Sequence, residues 1–115
     1  LASVDLNFCG CENIREDGVK GLGQGLGQAP CLASVHLNFA NNNNIGDDGV
    51  KGLGQGLGQA PCLASVHLNF ANNNNIGNDG ANGLGQGLGQ APCLASVHLN
   101  FARCENIRDD GVKGL

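Results

Sequence analysis

Histidine occurs three times, at His36, His67 and His98, and the interval is 31 residues at each step. Asp5 stands the same interval before the first of them. Three imidazoles and a carboxylate are suitable donors for zinc. On neighbouring strands, however, equivalent positions stack in line about 4.8 Å apart and do not converge on one tetrahedral centre. Neither a metal nor a cofactor is therefore expected. The flanking residues obey the same interval: Ser3, Ser34, Ser65 and Ser96 form one set, and Asn7, Asn38, Asn69 and Asn100 another. No Ser/His/Asp or Cys/His group is singled out, because every Ser and nearly every His recurs in each copy. Catalysis needs a local constellation unlike its surroundings, so the chain is not expected to be an enzyme.

Other motifs fail on their spacing. The segment 52–58 is Gly-rich but lacks G-x-G-x-x-G and has no Gly-Lys-Ser/Thr, so phosphate binding is not supported. The run Asn-Asn-Asn-Asn-Ile-Gly-Asp-Asp lacks the acidic twelfth residue of a calcium loop. Thr is absent, which excludes ice binding through threonine rows, and no Asn lies in a glycosylation sequon. Cys11 and Cys104 lie three copies apart, at least about 14 Å at strand spacing, too far for a bridge within the chain. Cys9-Gly10-Cys11 has no second pair to complete a metal site.

The elements that position these residues follow from the repeat. Leu-Ala-Ser-Val opens at residues 1, 32, 63 and 94, so the single domain 1–115 divides into 1–31, 32–62, 63–93 and a partial copy 94–115. Copies two and three match at 28 of 31 positions, differing at Asp47/Asn78, Val50/Ala81 and Lys51/Asn82. Cys11-Glu12-Asn13-Ile14-Arg15 returns as Cys104-Glu105-Asn106-Ile107-Arg108 93 residues later, which reads either as a larger unit of three copies or as a recurrence by chance or local gene conversion. The array is expected to belong to a longer one.

Within copy two, Leu32, Val35, Leu37 and Phe39 alternate with polar His36 and Asn38, the period of a half-buried strand. The Asn run 41–44 suits a turn, since Asn tolerates left-handed φ, and its amides can ladder from copy to copy. Asp47-Asp48 marks a helix start, where a carboxylate caps free N–H groups and meets the positive end of the dipole. Val50, Leu53 and Leu57 then fall on one helix face, and Pro61 ends it. Gly49, Gly52, Gly54, Gly56 and Gly58 oppose the helix, at roughly 1 kcal/mol each relative to Ala. Close packing between copies is needed to hold it; a short or 3₁₀ segment is the alternative. A single copy buries too little to fold, so stability must grow by stacking of neighbours.

Leu32-x-x-Val35-x-Leu37, then Asn, Ile45-Gly46-Asp47-x-Gly49-Val50, Leu53, Leu57 and Pro61-Cys62 resemble a leucine-rich repeat of the ribonuclease-inhibitor-like subclass. The resemblance covers the whole chain and recurs four times, although a period of 31 exceeds the usual 20–29. It implies an α/β solenoid, with a parallel β-sheet on the concave face and Gly-rich helices on the convex face. It also makes Cys31, Cys62 and Cys93 buried free thiols, and on that ground a reducing intracellular compartment is favoured.

Two functions fit this pattern. The first is a non-catalytic structural scaffold, extended or joined head to tail into a filament, since near-identical copies give every position the same surface. The second is a protein-recognition module binding a ligand on the concave face through Asp5, Ser34, His36, Asn38, Ser65, His67, Asn69, Ser96, His98 and Asn100. The scaffold is favoured because that face lacks Trp, Tyr and Arg anchors. Partners are therefore expected to be another copy of the chain or a protein. Net charge is −4 with six Lys and Arg, which argues against nucleic acid, and no apolar run spans a membrane.

Overall fold

The computed structural model of the chain describes residues 2–107. Strands and helices alternate: β1 (Ala2–Asn7), α1 (Glu16–Gly27), β2 (Leu32–Asn38), α2 (Asp47–Leu57), β3 (Ser65–Asn69), α3 (Asn78–Leu88) and β4 (Ser96–Asn100). The start expected for a fourth helix lies outside the described residues. The strands form one parallel sheet in the order β1-β2-β3-β4, so neighbours in sequence are neighbours in space. Parallel pairing requires a crossover between successive strands, and each helix supplies one. From Ser3 onward equivalent residues pair, Val35 with Val66 and Leu37 with Leu68 for example, while Ala2 pairs with Leu32 across a register shift at the start of β1. The chain repeat and the sheet register are thus the same interval.

Alternation along each strand separates two faces. Val35, Leu37 and Phe39 turn toward the helices and are at most 1% exposed, as are Val66, Leu68 and Phe70. They join Ile45, Val50, Leu53 and Leu57 of the second copy in one continuous core. Phe8, Phe39, Phe70 and Phe101 stack through it, with ring centroids 5.3, 5.5 and 5.6 Å apart. Among the described residues, the same residue types are only half-buried in the first and fourth copies, at Val4, Leu6, Phe8, Leu99 and Phe101.

The Gly-rich segments are regular α-helices of 11 or 12 residues. Glycine permits this because the helices touch backbone to backbone. A Cβ at Gly23 would lie 2.7 Å from Leu53 Cα, and one at Gly54 would lie 2.9 Å from Leu84 Cα. Gly56 is pressed against the Gly23 backbone, and Gly87 against that of Gly54. Contacts this close are open only to glycine.

The carboxylates act differently from the expectation. Gly46 and Gly77 occupy the N-cap positions, and no side chain caps its own helix. Instead Asp47 Oδ1 accepts the Gly77 N–H at 2.7 Å, so the second copy caps the helix of the third. The acid still sits in the first turn, favourable to the dipole.

Cys31, Cys62 and Cys93 are all exposed, contrary to the expectation of buried thiols. They lie in the turn before each strand. Ala60 and Leu63, both fully buried, take the inward positions on either side of Cys62 and leave its side chain outside. The buried cysteine is Cys104, at 5% exposure.

Candidate functional site: in-register ladders on the open sheet face

On the sheet face away from the helices, Asp5, His36, His67 and His98 are successive register partners. The imidazoles stack almost parallel, with centroids 4.2 Å apart for His36–His67 and 4.3 Å for His67–His98, each pair inclined by 9°. Ser3, Ser34, Ser65 and Ser96 form the row on one side, and Asn7, Asn38, Asn69 and Asn100 the row on the other. The register brings every candidate residue together as three straight rows. Parallel ring planes point equivalent nitrogens the same way, and among the described residues no three His, Cys, Asp or Glu side chains form a metal-binding group.

His36 and His98 are exposed, and His67 between them is half-buried. The His67 pKa is lowered from 6.5, first by desolvation and then by repulsion from the His36 and His98 imidazoles, with Asp5 acting in the opposite sense. A neutral central imidazole carries one donor and one acceptor.

The Asn row is partly committed to the fold. Asn38 Oδ1 accepts the Ala40 N–H at 3.0 Å, Asn69 Oδ1 that of Ala71 at 3.0 Å, and Asn100 Oδ1 that of Ala102 at 2.9 Å. Each closes an Asx-turn that ends its strand. The signal was present in the sequence as Asn-Phe followed by a turn, but period-2 alternation had assigned these residues to the strand face only.

Beyond the sheet edge, the loop builds a second set of bonds between copies. Gly10, Asn41, Asn72 and Arg103 occupy one position and all have positive φ, from 59° to 71°. Asn72 Nδ2 donates to Asn41 Oδ1 at 2.8 Å, and Asn41 Nδ2 to Cys9 Sγ at 3.7 Å. At the next position Asn73 is fully buried and donates to the Phe39 and Phe70 carbonyls at 3.0 and 2.7 Å. Cys104 is its equivalent one copy later, and its thiol donates to the Phe70 carbonyl at 3.1 Å. Burial raises the Cys104 pKa, with backbone hydrogen bonds from Asn73 and Asn72 opposing. The amide ladder therefore runs partly along an exposed edge and partly into the core. Asn41, Asn43, Asn72, Asn74, Arg103 and Glu105 line a shallow polar groove on the exposed part.

Chemically, the open face offers the same hydroxyl, imidazole and amide at each step. Comparison with protein-family models and with curated proteins finds no match to this chain. Among the described residues, no helix is long and apolar enough to cross a membrane.

Proposed function

We propose that the chain is a non-catalytic structural scaffold of the leucine-rich-repeat type, a solenoid of 31-residue units that extends by adding equivalent copies. The observation that supports this reading is the equivalence of the junctions. From Ser3 onward the strand register, and with it the Phe stacking and the glycine contacts, recurs from the first interface to the next. Such a molecule has no distinguished position at which a unique ligand would sit. Negative-stain microscopy of the native material, with and without reductant, tests it. Long particles of uniform width are expected, and discrete short particles in both conditions contradict the scaffold. Their disruption by reductant would assign the joints to the exposed thiols Cys9, Cys11, Cys31, Cys62 or Cys93.

One observation favours recognition of a protein on the open face: of the stacked imidazoles, those of His36 and His98 are exposed and that of His67 is half-buried. A partner on that face would carry its own repeat. Loss of its binding on changing His36 and His67 together, with folding retained, would support this second reading.

A further inference from the structure

Asn38 and Asn69 lie on the inner strands β2 and β3, on the same open face as His36 and His67 and two residues further along. Each amide is fixed by its own turn. Asn38 Oδ1 accepts the Ala40 N–H and Asn69 Oδ1 the Ala71 N–H, both at 3.0 Å. Only an oxygen can meet a backbone N–H, so the turn also settles which end of each amide is Nδ2. Among the described residues neither Nδ2 donates a hydrogen bond to a protein group. Asn7 and Asn100 are held in the same way, by the Cys9 and Ala102 N–H groups at 2.9 Å. The acceptor end of each amide is bonded to the fold, and the donor end is left over.

The histidines stand beside this row, and few other charges do. The four strands carry no Lys, Arg or Glu, and Asp5 is their one acid. The titratable groups in register on this face are therefore Asp5 of β1, His36 of β2, His67 of β3 and His98 of β4. Glu16, Asp17, Asp47, Asp48 and Asp79 begin the helices instead, behind the sheet. With neutral imidazoles, the face is uncharged apart from Asp5. Proton uptake makes it cationic and turns every ring nitrogen into a donor. Centroids only 4.2 and 4.3 Å apart make neighbouring charges repel while the face is bare. The complement of two donor-only rows is an acceptor-only group, and a carboxylate is that group.

We infer that the open face of β2 and β3 docks an acidic peptide in mildly acidic solution, its carboxylates accepting from Asn38 and Asn69 Nδ2 and from protonated His36 and His67. This rests on the second reading above, in which the open face meets a protein, and gives that partner its chemistry and its pH range. A carboxylate set against adjacent rings offsets their repulsion, so docking and proton uptake favour one another. The whole chain carries −4 with the histidines neutral, so overall charge does not attract a polyanion and this face must.

Isothermal titration calorimetry with a poly-aspartate peptide, at about pH 5.5 and about pH 7.5, tests the inference, since aspartate is ionised at both. Affinity should be at least about tenfold higher at the lower pH, with protons taken up on binding. Asn69→Asp keeps an oxygen for the Ala71 N–H and puts a second oxygen where Nδ2 stood. It should leave Tm nearly unchanged and weaken binding roughly tenfold. His36→Gln with His67→Gln should remove most of the pH dependence. Absence of binding at the lower pH, equal affinity at the two, or indifference to Asn69→Asp overturns the inference. Tighter binding of a sulfated glycan or of inorganic phosphate also overturns it, because the occupant is then not a peptide. These failures leave the recognition reading to its own test, in which a native partner of any charge is lost on changing His36 and His67.

Discussion

The position shared by Cys11, Asn42, Asn73 and Cys104 is decided by carbonyls: Asn73 meets those of Phe39 and Phe70, and Asn42 that of Cys11. Asn73→Ala should cost about 1–3 kcal/mol by leaving those acceptors unpaired, whereas Asn73→Cys should retain part of that through its thiol, as Cys104 does. Urea unfolding of the two variants separates them. Thiol labelling under native conditions should modify Cys9, Cys11, Cys31, Cys62 and Cys93 quickly and Cys104 slowly, as peptide mass spectrometry would show. The first three ladder rows were legible because the repeat interval is also the strand register. The cysteines were not, since burial at the turn before a strand depends on which of two adjacent residues turns inward. His67 makes stability depend on pH. Its folded pKa lies below 6.5, so between the lowered value and 6.5 the unfolded chain binds more protons. Stability is full above that window and falls as pH drops through it. Melting temperature should therefore decline below pH 6.5, and His67→Gln should flatten that part of the profile.

At the scale of the element, glycine has opposite effects according to what lies beside it. Nothing stands within 4 Å of a Cβ placed on Gly21, whereas one on Gly56 would collide with the Gly23 backbone. Gly21→Ala should then stabilise the chain in dilute solution by about 0.5–1 kcal/mol through helix propensity. Gly56→Ala should destabilise it by about 1–3 kcal/mol, since backbone on the neighbouring helix must move. Denaturant unfolding of both variants checks the contrast. Helix formation was readable from Val50, Leu53 and Leu57, and the requirement for close packing from the glycine content. Which glycine touches which neighbour was not readable, because it depends on the rotation of adjacent helices. The Asp47 cap on the following copy escaped for the same reason: sequence alone shows an acid at a helix start, not the helix it serves.

Across the whole molecule, nearly all long-range order comes from contacts between adjacent copies. The core is continuous, and the outer copies expose side chains that are fully buried in the inner ones. Sheet order follows directly from four equivalent strands separated by helices. Stability in such an arrangement is a sum of unit terms and nearest-neighbour terms. Thermal unfolding of chains lengthened by whole 31-residue copies of residues 32–62 measures those terms most directly. Melting temperature should rise with each added copy by progressively smaller steps. A melting temperature independent of copy number would contradict an account in which contact between neighbouring copies holds the fold.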